Sequence, residues 1–483
     1  MSDVPVRFGT DGWRGVLGED FTWAGVERAL SGIAAYLEGL GGGERALVVA
    51  CDCRFMGQRL ARRAAELLAS WGITALLAPR PLPSPVAGFA VRHWRASGAV
   101  VFTASHNPPE YQGLKFLGPG GGPAPPEVTR AVEEAASRPV RPPAASSAGT
   151  LTINPARPYL DHVRTLLGLT VLASRPAAVV VDPMHGAGRG YLERLLGDVG
   201  WRVVSVRARP DPLFGGMPPD PAPAALARLG ERVKTEGAVL GLALDGDADR
   251  FGVVDSDGRW QSPNRILGLL YLYLLRGRRL KGGVARTVAT THRLDDIARA
   301  EGQPVVETPV GFKYLGPYLE RGDALFAGEE SGGMSLRGHL PAKDGVLACA
   351  LAAEMVAAAG RSLEQLSAEA DREFGPRESV RLDLPLRQVD RTAVAHLLDA
   401  GAFDRLGGRP VVSRDTTDGW KFRLEGGAWF LVRLSGTESR VVRIYVEAES
   451  EGEARRLAEE AARLLGLGQA AGAARRQAGP GTY

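Results

Sequence analysis

Short apolar runs alternate with amphipathic helical patterns along most of this chain. Apolar residues at helical spacing from Val26 to Leu40 predict a helix that ends at three consecutive glycines, and residues 46–50 then predict a buried strand. The alternation continues with helices predicted at 58–71 and 84–94 and with strands predicted at 73–78 and 98–102. Such alternation predicts a largely parallel sheet that is covered by helices.

The same unit recurs further along the chain. Strands are predicted at 177–181, 201–206, 239–244 and 324–327, with a helix at 191–199. Three of the apolar strands run into polar loops, which are 103–108, 245–249 and 328–333. Because α/β units bind ligands at the carboxyl ends of their strands, each loop is a candidate binding edge. We interpret the chain as a weak triplication of one α/β module.

Composition shifts predict the domain boundaries. A linker rich in Pro and Ala covers 138–149, an Asp-Gly turn follows residue 256, and a Phe-Gly-Pro break begins at residue 374. After that break, strands at 420–424, 429–434 and 441–448 and a helix at 452–465 predict an α+β module of another kind. The predicted domains are therefore 1–148, 149–256, 257–373 and 374–465, followed by a flexible tail at 466–483.

Charge and cysteine content exclude several classes of protein. The formal charge of +4 over 483 residues gives no basis for expecting nucleic acid or an acidic membrane as a partner. The three cysteines form no C-x-x-C pair, so neither a disulfide framework nor a zinc site is expected. No signal peptide is visible, and the longest strongly apolar stretch, 266–275, is too short to span a bilayer. We expect a cytoplasmic protein without a membrane partner.

Three aspartates at alternate positions predict a metal site. Asp245, Asp247 and Asp249 follow a predicted strand, and alternate residues of an extended loop point the same way. Converging carboxylates repel each other unless a cation lies between them, and hard oxygen ligands favour Mg²⁺. An EF-hand is excluded because Arg250 stands where its glycine is required, whereas a solvated acidic turn stays open. Arg250 is a candidate for binding an anionic group beside the metal.

Ser105 lies in the first polar loop with two groups suited to phosphoryl transfer. His106 follows it and Lys115 comes ten residues later, so a hydroxyl, an imidazole and an ammonium are near each other in sequence. A turn or cap serine is the structural alternative. No G-x-S-x-G elbow surrounds Ser105, which argues against a serine hydrolase. Only six of the 59 cationic residues are lysines, and Lys115, Lys313 and Lys343 all lie in polar segments of interest.

The last module contains a candidate phosphate loop at 433–440. Arg433 and the hydroxyls around Gly436 could hold a phosphate, partly through backbone N–H groups. A plain hairpin turn fits this short segment equally well.

Five segments of the chain resemble the phosphoglucomutase/phosphomannomutase superfamily. They are 7–15, 103–116, 245–252, 328–333 and 433–438, and they occur in the family's order. The resemblance implies three similar α/β domains and a smaller fourth domain around one central cleft. It also implies a phosphoglucomutase that interconverts glucose 1-phosphate and glucose 6-phosphate, with a hexose phosphate as its partner, as a monomer or a homodimer.

The resemblance also assigns roles to single residues. Ser105 matches the phosphorylated serine, and it completes a Mg²⁺ site with Asp245, Asp247 and Asp249. Arg14, His106, Lys115 and Arg250 match positions around the transferring phosphoryl group, with Lys115 and His106 both open as the general base. The substrate-binding positions are Gly311, Lys313, Glu329 and Ser331 for the sugar, and Arg433, Ser435, Gly436 and Thr437 for the distal phosphate. A hexose 1,6-bisphosphate is the implied intermediate and activator.

Three residues depart from patterns that are common in the family. Phe312 stands where glucose/mannose enzymes of the family carry a histidine, which favours glucose over mannose phosphate, and both over glucosamine phosphate. Gln112 stands where asparagine is usual and could alter the Ser105 loop, and Ala342 replaces a common acidic residue. None of these departures removes a named catalytic group.

Two other functions stay open from the sequence. The strand that ends in Asp-x-Asp also suits a phosphatase of the haloacid dehalogenase type, with Asp245 as nucleophile, although Ser105, Glu329 and Arg433 then have no role. A sugar-phosphate sensor without catalysis is the second alternative, and the retention of Ser105 and the aspartates argues against it.

Overall fold

The computed structural model describes residues 5–41, 45–142, 148–386, 391–399, 401, 403–434 and 441–467. Four sheets organise these residues, and each belongs to one successive part of the chain. The predicted fold class is confirmed: three α/β units precede an α+β unit with an antiparallel sheet. The sequence pattern identified the class because buried strands and amphipathic helices alternate with different periods.

The first sheet has six strands in the order β1-β5-β4-β2-β3-β6. Its elements are β1 (Trp13–Val16), α1 (Trp23–Gly39), β2 (Arg45–Cys51), α2 (Gly57–Ser70), β3 (Ile73–Leu77), α3 (Ser84–His93), β4 (Gly98–Phe102), β5 (Tyr111–Leu117), α4 (Pro126–Ala136) and β6 (Thr150–Thr152). Strands β2, β3, β4 and β6 are parallel, while β5 is antiparallel to both of its neighbours. Strand β6 joins this sheet although it follows the predicted end of the first domain at residue 148.

The second sheet has five strands in the order β11-β10-β9-β7-β8. Its part of the chain contains α5 (Ala156–Leu166), α6 (Leu169–Ser174), β7 (Ala178–Asp182), α7 (Tyr191–Gly197), β8 (Arg202–Ser205), a 3-10 turn (Phe214–Gly216), α8 (Pro223–Glu236), β9 (Leu240–Leu244), β10 (Phe251–Asp255) and β11 (Trp260–Gln261). The Asp-Gly turn joins β10 and β11 as a hairpin, as predicted, with Gly258 in the left-handed region at φ 85°. Strand β11 therefore extends the second sheet past the predicted boundary at 256.

The third sheet has four strands in the order β13-β12-β14-β15. Its part of the chain contains α9 (Pro263–Leu272), a π-helical turn (Tyr273–Gly277), β12 (Gly283–Thr287), α10 (Arg293–Ala300), β13 (Val305–Thr308), α11 (Phe312–Glu320), β14 (Ala324–Glu329), β15 (Gly333–Leu336), α12 (Gly345–Ala359) and α13 (Leu363–Phe374). Strand β14 ends at Glu329, two residues later than the predicted end at 327.

The three polar loops occupy equivalent places in the three sheets. Each loop joins a strand with a parallel neighbour to an antiparallel partner, namely β4 to β5, β9 to β10 and β14 to β15. The sequence predicted the first strand of each pair and missed the returning one. The common topology supports the interpretation of a triplicated module.

The fourth sheet is antiparallel, in the order β16-β21-β20-β19-β18-β17. Its elements are β16 (Glu378–Pro385), α14 (Arg391–Asp399), β17 (Arg405–Leu406), β18 (Arg409–Asp415), β19 (Trp420–Leu424), β20 (Trp429–Leu434), β21 (Val441–Ala448) and α15 (Glu451–Leu464). The sequence missed β16, β18 and α14. Residues 468–483, most of the predicted tail, lie outside the described residues.

Helix α12 is buried on nearly every side. Its residues from Gly345 to Ala357 are all buried, so it lacks the polar face of a surface helix. It belongs to one apolar cluster that also contains Val101 of β4, Leu242 of β9 and Phe326 of β14. The three α/β units thus share a continuous core. No single described helix has the length and apolarity to cross a membrane, and one bent pair, α12 with α13, reaches both limits only when taken together.

Candidate active site

The three aspartates converge in the turn between β9 and β10. Asp245 and Asp247 are fully buried and Asp249 is 3% exposed. One oxygen from each carboxylate lies within 4.8 Å of the others. The turn brings them together because Ala248 adopts φ 59° and because Asp245 Oδ1 accepts the backbone N–H of Arg250 at 3.0 Å. The solvated acidic turn is therefore the wrong interpretation of this segment.

The ammonium of Lys115 lies beside these carboxylates. Lys115 Nζ is 2.8 Å from Asp11 Oδ2, 2.8 Å from Asp247 Oδ2 and 2.7 Å from Asp249 Oδ2. Burial opposes its charge, but the three carboxylates outweigh burial and raise the pKa of Lys115 well above its ordinary value. Burial likewise opposes the charge of Asp247, yet Lys115 lowers the pKa of that carboxyl to about 2. Burial and the other two aspartates raise the pKa of Asp245.

The donor set of the aspartate turn fits a hard divalent cation. Asp247 Oδ1 and Asp249 Oδ1 are buried, and neither accepts a hydrogen bond from the residues that the structure describes. Buried carboxylate oxygens without partners are costly in the absence of a cation. Oxygen ligands of this kind suit Mg²⁺ rather than a soft metal.

The Ser105 loop meets the aspartate turn directly. Ser105 is fully buried, and its Oγ donates a hydrogen bond to Asp245 Oδ2 at 2.6 Å. Its backbone adopts φ 50°, an uncommon conformation for serine, and the N–H is held by Thr103 Oγ1 at 2.8 Å. His106 Nδ1 lies 3.3 Å from Ser105 Oγ. The strand-end loops of the first and second sheets therefore form one site.

Arg54 holds the Ser105 loop from behind, and the sequence analysis missed it. Its two Nη atoms donate to the carbonyls of Ser105 at 2.7 Å, Pro108 at 2.7 Å and Tyr111 at 2.9 Å, and to that of Asn107 at 2.5 Å. Arg54 lies just after β2, so the strand-end rule that singled out the other loops applied here as well. This guanidinium contacts four carbonyls between Ser105 and Tyr111, of which that of Pro108 also accepts the N–H of Tyr111.

Gln112 uses its amide for two hydrogen bonds to backbone groups beside the Ser105 loop. Its Nε2 donates to the carbonyl of Phe55 at 3.0 Å, and its Oε1 accepts the N–H of Gly113 at 3.0 Å. Both ends of the amide are thus occupied on the β5 side of the loop. The side chain stabilises the start of β5 and its contact with the 52–56 segment.

Cationic side chains from all three α/β units surround Ser105 and the aspartates. Arg14 Nη1 donates to Asn107 Oδ1 at 2.8 Å, and Lys343 Nζ lies 3.4 Å from both Asp11 Oδ2 and Asp249 Oδ2. Burial lowers the pKa of His106, and the nearby charges of Arg250, Arg14 and Lys343 lower it further. The imidazole is therefore neutral in a strongly cationic site. Such a site suits an anionic substrate.

The third unit contributes Glu329 and the 309–314 loop. Glu329 Oε1 accepts the N–H of Gly311 at 2.9 Å, and Gly311 adopts φ 131°, which favours glycine. Burial raises the pKa of Glu329 to about 7, although Lys343 opposes the shift. Ser331 lies in the turn between β14 and β15, and Lys313 Nζ is 5.5 Å from the ring centroid of Tyr314.

Phe312, on which the expected preference for glucose phosphate depended, packs inside the third unit. It is 3% exposed and lies in an apolar cluster with Leu315, Leu319 and Ala327. A side chain in that cluster belongs to the packing of α11 on the third sheet. The preference for one sugar stays a prediction.

An aspartate of the fourth unit contacts the 309–314 loop. Asp418 Oδ2 lies 2.8 Å from Arg433 Nη2 and accepts the N–H of Val310 at 2.8 Å. Arg433 is thus brought close to the 309–314 loop. The other three predicted members of the phosphate loop, Ser435, Gly436 and Thr437, lie outside the described residues.

Sequence profiles match the chain along almost its whole length. The profiles are those of the phosphoglucomutase/phosphomannomutase α/β/α domains I, II and III, at residues 5–140, 157–258 and 262–373, and of the C-terminal domain, at 386–464. The chain belongs to the phosphoglucomutase/phosphomannomutase family. As a member of this family it is a phosphohexomutase, an isomerase of the phosphotransferase type.

Relatives within the phosphoglucomutase/phosphomannomutase family have different substrate names. A “Phosphoglucomutase/phosphomannomutase” of Thermococcus kodakarensis is 33% identical over 95% of this chain and 98% of its own. A “Probable phosphoglucosamine mutase” of Methanothermobacter thermautotrophicus is 31% identical over 94% and 96% of the two chains. The crystal structure of a “putative phosphomannomutase” from Thermus thermophilus has a TM-score of 0.84 and 35% identity, and covers 96% of this chain and 99% of its own. The comparisons establish the family and leave the sugar open.

Proposed function

We propose that the protein is a phosphoglucomutase that works through phosphorylated Ser105 and a hexose 1,6-bisphosphate. The observation that carries the proposal is the hydrogen bond of 2.6 Å from Ser105 Oγ to Asp245, inside a buried aspartate cluster. A turn or cap serine has no structural need to be buried against a cluster of carboxylates. A serine that carries a phosphoryl group beside a cation site is expected at this position.

The residues that would hold Mg²⁺ are Asp245, Asp247, Asp249 and phosphorylated Ser105. The buried, unpartnered oxygens of Asp247 and Asp249 support this assignment. When bound, the ion supplies positive charge that stabilises the charge developing on the transferring phosphoryl oxygens. Lys115, which contacts Asp247 and Asp249 in this structure, also supplies charge at the same place.

The proposed reaction has two phosphoryl transfers at one serine. In the first, a free hydroxyl of the hexose monophosphate attacks phosphorus, the bond from phosphorus to Ser105 Oγ breaks, and the hydroxyl loses its proton. In the second, the bisphosphate lies in the opposite orientation, and Ser105 Oγ loses its proton and attacks the other phosphorus. The bond from that phosphorus to the sugar oxygen breaks, and the sugar oxygen takes up a proton. Between these steps Arg433 and the 309–314 loop hold the distal phosphate and the sugar.

A base has to accept the proton of the attacking hydroxyl. Lys115 Nζ contacts three carboxylates in this structure, whereas His106 Nδ1 lies 3.3 Å from Ser105 Oγ without a carboxylate partner among the described residues. The geometry favours His106 for this role and Lys115 as a fixed positive charge. Arg14 and Arg250 then neutralise the phosphoryl oxygens.

Glucose phosphate is the substrate that we propose, with mannose phosphate and glucosamine phosphate as the alternatives. Lys313 and Tyr314 of the Gly-Phe-Lys-Tyr loop support glucose, because this loop resembles that of glucose-preferring members. Hexose 1,6-bisphosphate is then expected as an activator, since it donates the phosphoryl group that first loads Ser105.

Mass spectrometry of the intact protein and a coupled assay test the proposal together. After incubation with glucose 1,6-bisphosphate, the wild-type protein and an exposed control, Ser174→Ala, are expected to gain one phosphoryl group, and Ser105→Ala none. Wild-type kcat/KM is expected to be highest for glucose 1-phosphate when mannose 1-phosphate and glucosamine 1-phosphate are compared under the same conditions.

The outcomes separate the alternative functions. Phosphate that persists on Ser105→Ala and disappears from Asp245→Ala would establish an aspartyl phosphatase mechanism instead. A folded wild-type protein with Mg²⁺ that binds glucose 1-phosphate without converting it would be a sensor. A higher kcat/KM for one of the other two sugars would overturn the glucose assignment and keep the mutase.

A further inference from the structure

A second cavity lies beside the segment that contains Arg54, whose side chain contacts the Ser105 loop. It has a volume of about 740 Å³ and is formed by the segment 52–56, the first turns of α2 and the prolines Pro210 and Pro212. None of the residues proposed to bind sugar, phosphate or metal lines it. Its volume lies within the range of small-molecule sites, which is roughly 300–1,000 Å³.

Arginines give this cavity an excess of positive charge. Arg59, Arg62 and Arg63 of α2 line it together with a single exposed acid, Glu66. Arg63 is 3.6 Å from Glu27, but within the described part of the chain no carboxylate lies within ion-pair distance of Arg59 or Arg62. Two guanidinium groups one helical turn apart, without an ion-pair partner among the described residues, favour a bidentate anion such as a phosphate.

The opposite part of the lining is apolar. Phe55 is 60% exposed, and Met56, Pro81, Pro210 and Pro212 also line the cavity. An exposed aromatic ring beside unpaired arginines offers a flat apolar surface next to an anion site. This combination matches a ligand that carries both phosphate and an aromatic ring.

We propose that this cavity binds a nucleotide, with its phosphates on Arg59 and Arg62 and its base against Phe55. The site lies close to the catalytic loop. Arg54, which lines the cavity, donates to the carbonyls of Ser105 and Asn107, and the carbonyl of Phe55 accepts a hydrogen bond from Gln112. The residues that would hold the base are therefore continuous with those that hold the serine loop.

Calorimetric titration with ADP tests the site on the full-length protein. The cleft is first saturated with glucose 1,6-bisphosphate, so that ADP meets only the second cavity. We expect one ADP to bind per chain and pyrophosphate to compete with it. The double variant Arg59→Glu/Arg62→Glu is expected to bind ADP about tenfold or more weakly, because two phosphate contacts become repulsive. The matched variant Arg157→Glu/Arg228→Glu reverses two exposed arginines on other helices and is expected to bind ADP within about twofold of the wild type.

Two outcomes would overturn the proposal. They are the absence of saturable ADP binding, and an equal ADP affinity in Arg59→Glu/Arg62→Glu and in the matched control. The mutase activity of the double variant shows whether it is folded. Weak binding that leaves kcat/KM for the sugar phosphate unchanged assigns the loss to the second cavity.

Discussion

At the scale of single residues, the charge balance of the cleft depends on Lys115. This ammonium lies among Asp11, Asp247 and Asp249 at distances of 2.7–2.8 Å. Removing one partner of a buried charge cluster leaves the others uncompensated, at a cost of roughly 3–5 kcal/mol. We therefore expect Lys115→Met to lower the free energy of unfolding by about that amount when EDTA is present, measured by urea denaturation.

Magnesium ion provides the decisive comparison for Lys115→Met. If the aspartates bind Mg²⁺, adding millimolar Mg²⁺ should restore most of the lost stability, because the ion replaces the missing charge. Lys234→Met, on an exposed helix position, serves as the control and should respond to neither reagent. A Lys115→Met protein that is equally unstable with and without Mg²⁺ would rule out this metal site.

Glu329 gives the protein a pH dependence of defined sign. Its pKa is raised from 4.5 to about 7 by burial, so the folded protein binds a proton here that the unfolded chain has already released. Stability must then fall as pH rises from about 5 to 7, by up to roughly 3 kcal/mol for a shift of this size. Glu329→Gln keeps the acceptor for Gly311 and should lose that part of the slope.

The measurement for Glu329 is the free energy of unfolding at pH 5 and pH 8, without substrate. The stability of Glu329→Gln relative to the wild type should increase between these two values. Glu330→Gln, one residue further along, is the control for a general effect of charge in this loop. If the difference in the free energy of unfolding between Glu329→Gln and the wild type is the same at pH 5 and pH 8, the raised pKa of Glu329 is wrong.

Residues that act through their own side-chain chemistry could be predicted from sequence, and residues that hold the backbone could not. Ser105 and Asp245 could be recognised because both lie in polar loops that directly follow apolar strands, and because Asp245 is the first of three aspartates at alternate positions. Arg54 was missed because its role lies in contacts with carbonyls more than fifty positions away, which no local pattern records.

At the scale of elements, the loop from 103 to 110 depends on a guanidinium that bridges several carbonyls. Lysine retains the charge of Arg54 but lacks the planar fork, so Arg54→Lys cannot contact the same set of oxygens. We expect a fall in kcat of about 10²-fold from the displaced Ser105, since a shift of about 1 Å has such an effect. Steady-state kinetics with Arg130→Lys as the exposed control measures it. A kcat equal to that of the control would show that Arg54 does not position the serine.

The contact of α1 with α4 provides a matched pair of glycine substitutions. A Cβ on Gly32 would lie 2.4 Å from the carbonyl oxygen of Val132, whereas a Cβ on Gly39, at the end of the same helix, would meet nothing within 4 Å. Gly32→Ala should therefore destabilise the protein by about 1–3 kcal/mol through overpacking. Gly39→Ala should stabilise it by up to about 1 kcal/mol, because alanine is the better helix former.

Thermal unfolding of the two glycine variants decides between packing and propensity. A Tm that falls for Gly32→Ala and rises for Gly39→Ala confirms the close approach of the helices. Changes of the same sign in both would show that helix propensity alone governs α1.

Strands buried on both faces were predictable as elements, while the strands that return beside them were not. Residues 98–102 and 239–244 are uniformly apolar, but β5 carries Gln112 and Lys115 within its apolar residues. Lys115 faces the site and Gln112 contacts the carbonyl of Phe55, and both interrupt the apolar pattern on which strand prediction depends. The hairpin form of the three loops therefore became visible only in three dimensions.

At the scale of the whole molecule, the three α/β units share one large core in addition to smaller apolar clusters of their own. The cluster that contains α12 also includes side chains of the first and second sheets. A fragment of residues 1–258 would lack α12 and leave apolar surface of the second unit uncovered, so we expect it to aggregate. A fragment of residues 1–375 keeps α12 and is expected to be soluble and to unfold cooperatively.

Size-exclusion chromatography and dye binding to exposed apolar surface distinguish these fragments. Expression of 259–375 together with 1–258 should recover soluble material, because it restores α12 to its place. A soluble, monomeric 1–258 fragment that binds no dye would show that the second unit is autonomous. The domain II profile ends at residue 258, but that boundary is defined by sequence similarity and does not imply that residues 1–258 fold independently.

The late position of helix α12 in the sequence delays the burial of the second sheet during synthesis. The second sheet is complete at Gln261, but the helix that covers it begins at Gly345, which is 84 residues later (345 − 261). At roughly 5–20 residues per second, about 4–17 s pass between synthesis of the last strand of the second sheet and synthesis of the start of α12. During this interval the apolar strands of the second sheet are exposed to water. A chaperone that binds apolar segments would protect the nascent chain at this stage.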